Sequence, residues 1–253
     1  RGNLEALQAY AVCLHVAALG LLASIIERED GSDIADVTLA AFAVSPLIAS
    51  TAATLLADGP MLFCAAAVLA ALPGLWPRRD SRTWLVLGLA LGLSALVRPT
   101  GLALAAAVAL TLLRERRIRE AALSLGTASA VLGVWLGRAV VLSGTGWNYW
   151  REASSAAQAG GIALTSNALF YAREIFARAL WRLPGVHPIG ETTLALAGAG
   201  LCVLGFLRAR TAAGRTAALF AVLFLAPHLL WSKQASRYVI AVLPFAVWGA
   251  FRG

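Results

Sequence analysis

Long apolar stretches separated by short polar connections dominate this sequence of 253 residues. About 20 apolar residues let a helix cross the hydrocarbon core of a bilayer, and shorter stretches can cross where helices tilt or pair. The pattern therefore predicts an all-α protein, a polytopic transmembrane helical bundle of roughly nine spans. The predicted spans are 5–26, 34–56, 61–76, 83–97, 101–113, 121–143, 192–207, 216–231 and 239–251.

Three of the polar connections are strongly basic, and the positive-inside rule assigns them to the cytoplasmic side of the membrane. These basic loops are 77–82, 114–120 and 208–215. Counting spans from them places Asp58, Arg98 and the segment 232–238 on the external side. The same count places the connection 27–33 on the cytoplasmic side although it is acidic. This does not contradict the assignment, because acidic residues carry little weight in the rule.

The composition excludes a soluble globular domain. Hydrophobic residues make up 60% of the chain, charged residues 13%, and the mean hydropathy is +0.76, which leaves too little polar surface for a water-exposed fold. The net charge of +8 comes almost wholly from arginine in the connections, which is typical of membrane orientation and lipid headgroups rather than nucleic-acid binding. Cys13, Cys64 and Cys202 lie in apolar stretches and predict small buried side chains rather than disulfides.

The segment 144–190 is the only predicted connection long enough to form more than a turn. Its apolar residues fall on one helical stripe, and its arginines fall outside that stripe, which predicts an external amphipathic helix in the membrane interface. Such a helix is either a passive interfacial element or a lid over a site at the membrane surface. The stripe consists of Ile162, Leu169, Phe176, Leu180 and Leu183, and the arginines are Arg173, Arg178 and Arg182.

Arg98 stands at the end of an apolar span and immediately precedes Pro99. A cation within the hydrocarbon costs a few kcal/mol, so such residues lie at helix ends and face water, lipid phosphate or a partner. Pro99 disfavours the helical conformation at Arg98, which predicts a turn between two helices. Arg98 is therefore either a snorkelling residue at an ordinary helical hairpin or a cation that binds an anion.

Two other patterns bear on packing and metal binding. Gly88 and Gly92 have the spacing that permits close approach of two helices. His15, His187 and His228 show no metal-ligand spacing, so no metal site is predicted.

The order of these elements, together with three segments, resembles the GT-C glycosyltransferases. This superfamily includes protein O-mannosyltransferases and aminoarabinose transferases, and its members take sugars from polyprenyl-phosphate donors. The similar segments are Ser45-Pro46 through Asp58-Gly59-Pro60, Gly88 through Arg98-Pro99-Thr100-Gly101, and Ser236-Arg237-Tyr238 through Leu243-Pro244.

The resemblance implies a membrane enzyme that transfers a sugar to an acceptor glycan, lipid or protein on the non-cytoplasmic face. Such a transfer needs a carboxylate to orient or deprotonate the acceptor and cations to stabilise phosphate charge. The residues implied for these roles are Asp58 as a supporting carboxylate and Arg98, Lys233, Arg237 and Tyr238 around the donor phosphate. The alanine-rich, arginine-over-lysine composition indicates a bacterium, whose inner membrane would present the site to the periplasm. No resident cofactor is implied, and dependence on a divalent metal stays open.

In this superfamily the principal catalytic acidic residue lies in the first external loop, whereas Arg1 to Ile26 resembles the helix that follows that loop. We therefore expect the chain to form a single, N-terminally partial transmembrane domain whose catalytic base lies upstream of residue 1.

Alternatives stay open for the individual residues and for the whole chain. Asp58 can cap the helix that is predicted to start near Met61, and Arg237 with Tyr238 can form an interfacial anchor pair. For the whole chain the alternatives are a transporter or permease subunit and a noncatalytic membrane scaffold. The concentration of charge at span ends on one external face favours surface chemistry over passage.

Overall fold

The computed structural model describes residues 2–48, 58–143, 161–179, 188–230 and 234–253. The described residues form helices and short connections without any strand, so the all-α prediction is confirmed. In chain order the helices are α1 (Gly2–Asp30), α2 (Ser32–Ala43), α3 (Asp58–Leu75), α4 (Ser81–Val97), α5 (Gly101–Arg114), α6 (Ile118–Ser143), α7 (Gly161–Arg173), α8 (Pro188–Leu207), α9 (Ala212–Leu230) and α10 (Leu243–Arg252). A π-helical segment, Glu174–Arg178, continues α7, and a 3₁₀ turn, Ser236–Val239, precedes α10.

Five of the described helices, α1, α3, α6, α8 and α9, are long and apolar enough to cross a membrane, and α4 and α5 are shorter apolar helices. The chain is therefore an integral membrane protein. The predicted span 34–56 runs into residues that the structure does not describe. The last span was predicted to begin at 239, but α10 begins at Leu243 because the preceding residues form the 3₁₀ turn.

The acidic connection predicted at 27–33 is much shorter in the structure, because α1 continues through Asp30 and α2 starts at Ser32. Gly31 alone makes the turn with a φ of 94°, a left-handed conformation that favours glycine. The acidic side chains therefore stand on the end of α1 and, for Asp33, on the first turn of α2 rather than in a loop.

The three basic loops meet at one end of the bundle, which we call the basic end. The Arg79 guanidinium lies 2.9 Å from the Glu120 carboxylate and joins the loops 77–82 and 114–120. Arg215 lies 3.6 Å from Glu115 and joins the third loop to the second. This clustering agrees with the assignment of all three loops to one side of the membrane.

The acidic end of α1 also lies at the basic end. The Arg252 guanidinium donates to Asp30 at 2.8 Å and to Glu29 at 3.2 Å, and the Trp248 indole donates to Asp30 at 2.6 Å. The Thr211 hydroxyl donates to Glu29 as well. The acidic residues therefore neutralise Arg252 on α10, which explains why an acidic connection lies on the basic side.

Helices α4 and α6 approach each other closely through Gly88 and Gly92. A Cβ on Gly88 would lie 2.5 Å from the Ser124 carbonyl oxygen, and a Cβ on Gly92 would lie 2.8 Å from the Val131 Cβ. Both distances are shorter than real Cβ contacts allow, so only glycine fits there. The sequence prediction of close helix packing at these two positions is confirmed.

Helix α7 and the π-helical segment pack against α8 and α9. The most buried side chains are Asn167, Tyr171, Glu174 and Ile175, whereas the predicted stripe residues Leu169 and Phe176 are half-buried or partly exposed. The stripe prediction is therefore offset: Asn167 and Tyr171 are buried before the π-helical segment begins, and Glu174 and Ile175 are buried within it. Leu180, Leu183 and Arg182 lie outside the described residues.

Among the described cysteines none forms a disulfide, and Cys202 is buried as predicted. Cys64 is half-buried and Cys13 is exposed, so the prediction of burial is wrong for Cys13. A surface that faces lipid places apolar side chains outward, and for this reason an apolar stretch does not by itself indicate a protein interior.

Candidate functional site

The turn between α4 and α5 holds Arg98 at the end of the bundle opposite to the basic end. Arg98 follows the last residue of α4 in an extended conformation, with φ −153° and ψ 134°, as the following Pro99 requires. The Gly101 amide donates to the Arg98 carbonyl at 2.7 Å and closes the turn. A Cβ on Gly101 would lie 2.5 Å from the Ser94 carbonyl oxygen, so glycine allows α5 to start this close to α4.

Asp58 begins the described part of α3 and forms an ion pair with Arg98 through Oδ1 and Nη1. Only 5% of the Asp58 side chain and 14% of the Arg98 side chain are exposed. The structure thus brings together two residues that are 40 positions apart in the sequence. The helix was predicted to start near Met61, but it already includes Asp58, and the carboxylate pairs with Arg98.

An aromatic stack lies beside this ion pair. The His228 and Tyr238 rings are nearly parallel, with centroids 4.6 Å apart and an angle of 13° between the planes. The guanidinium carbons of Arg98 and Arg237 each lie 5.4 Å from the centroid of the Tyr238 ring, within cation-π distance. Tyr238 therefore connects the two arginines to α9.

Three buried polar atoms around these residues make no hydrogen bond to any described residue. They are His15 Nε2, Thr100 Oγ1 and His228 Nε2. His15 belongs to the same place because a Cβ on Gly59 would overlap its ring. Buried polar groups without partners are rare in native proteins, and a polar ligand can supply the missing partners.

The connection before the 3₁₀ turn is fixed to helix α7 by side-chain amides. The Gln234 amide donates to the Asn167 side-chain oxygen at 2.8 Å, and the Asn167 amide donates to the Leu229 carbonyl at 2.8 Å. The Tyr171 ring on α7 lies 6.2 Å from the His228 ring. Helix α7 therefore packs against the same residues that hold Tyr238.

Four predicted site residues come together at one end of the bundle: Asp58, Arg98, Arg237 and Tyr238. We call these four residues, together with His15, Thr100 and His228, the polar site. Lys233 lies outside the described residues. Among the described residues there is no group of three or more side chains that could hold a metal ion.

The sequence analysis missed His15 and His228 as members of the polar site. Their signal was weak, because each is a single histidine within an apolar span and the stretches that contain them are far apart in the chain. Only the packing of α1 and α9 beside the start of α3 and the 3₁₀ turn shows that they lie at one site.

The arrangement combines a buried carboxylate, two arginines and the ring nitrogens of two histidines at the end of a membrane helix bundle. Arginine presents a planar set of donors that matches phosphate oxygens, and a carboxylate can accept a proton from a hydroxyl group. The polar site can therefore bind an anionic headgroup and orient a hydroxyl-bearing molecule beside it.

Comparison with known proteins points in the same direction. The sequence profile of the dolichyl-phosphate-mannose-protein mannosyltransferase family matches residues 2–142. This stretch contains α1 to α5 and α6 except for its last residue, and it includes both Asp58 and Arg98. No protein of curated function matches the sequence significantly.

The fold is similar to the crystal structure of ArnT from Cupriavidus metallidurans in the apo state. The TM-score is 0.61 and the sequence identity is 16%. The similarity covers 97% of this chain and 44% of that chain, so this chain spans less than half the length of the solved structure.

Proposed function

We propose that this chain, which belongs to the dolichyl-phosphate-mannose-protein mannosyltransferase family of GT-C membrane glycosyltransferases, transfers a sugar from a polyprenyl-phosphate donor to an acceptor glycan, lipid or protein. The family match supports the glycosyltransferase class. The arrangement of the basic loops at the opposite end supports a site on the non-cytoplasmic side, which is the periplasm if the protein lies in a bacterial inner membrane.

The observation that carries the proposal is the burial of Asp58 and Arg98 as neighbours at a site where other buried polar atoms have no partner. An ion pair with a purely structural role needs no unpaired polar groups around it. A donor with a charged phosphate and a hydroxyl-rich sugar offers hydrogen-bond partners of both kinds.

Each residue has a role in this proposal. Arg98 and Arg237 bind the donor phosphate and stabilise the charge that develops on it as the glycosidic bond breaks. Lys233 adds a positive point charge from the same connection. Tyr238 holds the two guanidinium groups in place through its ring, and Asp58 is a supporting carboxylate that orients Arg98 or the acceptor hydroxyl.

Helix α7 covers the polar site in this proposal. Its hydrogen bonds to Leu229 and Gln234 fasten it beside His228 and Tyr238. This supports the lid hypothesis for the segment 144–190 over a passive interfacial helix. The principal catalytic base is expected in another segment of the full-length protein, as in the superfamily.

The first test is substitution of Arg98 in the full-length enzyme. Arg98→Ala should lower turnover of polyprenyl-phosphate sugars by about 100-fold, because a preorganised donor to the developing charge is lost. Arg98→Lys should recover part of the rate, since it returns the charge without the planar fork. Release of free polyprenyl phosphate from a panel of labelled donors measures the rate.

Arg210→Ala is the matched control, because Arg210 is an arginine at the basic end and should leave turnover unchanged. Thermal unfolding in detergent checks that each variant is folded. Wild-type turnover in a folded Arg98→Ala variant would contradict the phosphate-binding role and leave Arg98 as a topological residue.

A further inference from the structure

A groove of about 830 Å³ runs between α3 and α4 on the outside of the described bundle. Its walls are apolar along most of their length. The lining includes Phe63, Ala67 and Leu75 from α3 and Val86 and Leu93 from α4. The groove is distinct from the polar site, whose residues do not line it.

Basic side chains stand at one mouth of this groove. Arg78 and Arg82 line the mouth, are exposed and form no ion pair with any described carboxylate. Some other arginines of the basic end are neutralised, for example Arg79 by Glu120 and Arg252 by Asp30. The mouth therefore carries two arginine charges that no ion pair within the described residues neutralises, beside the single carboxylate of Asp80.

One carboxylate, Asp80, also lines the mouth, but it serves another purpose. It caps α4 by accepting a hydrogen bond from the Thr83 amide at 2.8 Å. Hydrogen bonds from Thr83 hold the pKa of Asp80 below its ordinary value, so the cap stays ionised. An anion at the mouth would therefore lie beside two positively charged arginine side chains and one carboxylate, which is already hydrogen-bonded to Thr83.

The length of the groove fits one leaflet. Phe63 and Leu75 are twelve positions apart on α3, which corresponds to about 18 Å of helix. The hydrocarbon core is about 30 Å thick, so one leaflet is about 15 Å deep. An acyl chain that starts at the headgroup level beside Arg78 would therefore reach the far end of the groove near Phe63.

We propose that this groove binds an anionic phospholipid of the leaflet at the basic end. The phosphate lies between Arg78 and Arg82, and one acyl chain follows the apolar walls of α3 and α4. The proposal does not depend on the transferase reaction, because a bound phospholipid is measured without turnover.

The experiment uses the full-length protein in phosphatidylcholine nanodiscs that contain traces of phosphatidylglycerol with a photoreactive acyl chain. After illumination, peptide mass spectrometry should locate the label within 63–75 and 82–93. The double variant Arg78→Gln, Arg82→Gln should lower this labelling by roughly tenfold or more, because each arginine near the membrane surface strengthens anionic lipid binding about fivefold.

Two further variants separate the charge from the groove. Arg210→Gln removes a charge from another basic loop and should leave the labelling unchanged. Ala67→Phe with Ala90→Phe fills the groove and should abolish labelling while the arginines remain. Thermal unfolding in detergent identifies any variant that has lost its fold, and Ala67→Leu replaces it in that case.

Four outcomes would overturn the proposal. The first is equal labelling by a photoreactive phosphatidylcholine, which would show no preference for an anion. The second is unchanged labelling in the double arginine variant. The third is displacement of the label by polyprenyl phosphate, which would assign the groove to the donor chain. The fourth combines two results: no label is found in the groove, and Cys64 in lipid-free detergent does not react with a membrane-soluble maleimide. This combination would show that another segment or a second copy covers the groove.

Discussion

The pairing of Asp58 with Arg98 gives each of these residues two possible roles. A buried ion pair contributes little net stability, because the loss of solvation offsets much of the attraction between the charges. Removing one partner alone is costly, since the other charge then stays buried without compensation. A fall in activity after a single substitution can thus reflect either chemistry or folding, and the variants must separate the two.

Neutralising Asp58 in the full-length protein tests the role in sugar transfer that we propose for it. Asp58→Asn should lower unfolding free energy by roughly 3 kcal/mol, because Arg98 loses its compensating charge. The double variant Asp58→Asn, Arg98→Gln should recover part of this stability but none of the activity, since no charge remains to serve the reaction. Chemical unfolding in detergent and donor turnover are measured on the same preparations. Full activity in Asp58→Asn would reduce Asp58 to a structural partner of Arg98.

Some residues of the polar site could be predicted from the sequence and others could not. Arg98 was predictable because Pro99 restricts its backbone and the adjoining span fixes its depth. Asp58 and Tyr238 were expected from the family resemblance. His15 and His228 were not predicted. The neighbours of a histidine inside an apolar span depend on how each helix is rotated about its axis, and the sequence does not give that rotation.

Close packing at the element scale depends on which helix face each glycine occupies. Gly88 and Gly92 face α6 at distances that exclude a side chain, whereas a Cβ on Gly126 or Gly133 of α6 would meet no atom within 4 Å. The spacing of glycines in the sequence indicates a contact face, but it does not identify the partner helix.

A glycine series tests the contact between α4 and α6. Gly88→Ala should lower the free energy of unfolding by about 1–3 kcal/mol, because the new methyl group overlaps the Ser124 carbonyl and the helices must separate. Gly126→Ala is the matched control on the partner helix and should be neutral or stabilising by up to about 1 kcal/mol, since alanine favours the helix and meets nothing. Thermal unfolding in detergent compares the two. Equal stability of both variants would show that the helices are not in close contact at Gly88.

The amphipathic stripe predicted for α7 illustrates a limit of periodicity. Apolar periodicity shows that one face of a helix avoids water, but lipid and a neighbouring helix satisfy that face equally well. The π-helical segment also changes the angle between successive residues, so Glu174 and Ile175 are both buried. The buried Glu174 is compensated by Arg178, whose guanidinium lies 3.0 Å away. Hydrogen bonds from Arg178 to Glu191 and Glu174 raise the pKa of Arg178, so this charge persists.

For the whole molecule, the charge distribution follows from the order of the helices. Helices α1 to α6 alternate in direction, as do α8 to α10, so the arginine-rich connections cluster at one end of the bundle, as the positive-inside rule predicts. The sequence therefore predicted the helical class and the separation of the basic end from the polar site. It could not predict how the acidic turn of α1 would pair with Arg252, because those residues are more than 200 positions apart.

The orientation itself is tested by labelling single cysteines at the two ends of the bundle. In a full-length variant without native cysteines, Ser81→Cys at the basic end and Gln234→Cys beside the polar site should react with a membrane-impermeant maleimide from opposite sides. Ser81→Cys should label only after the membrane is opened, because the positive-inside rule predicts that the basic loops lie in the cytoplasm. Gln234→Cys should label in intact spheroplasts. Labelling of both cysteines from one side would contradict the bundle architecture, and a reversed pattern would place the polar site in the cytoplasm and remove the proposed external transfer reaction.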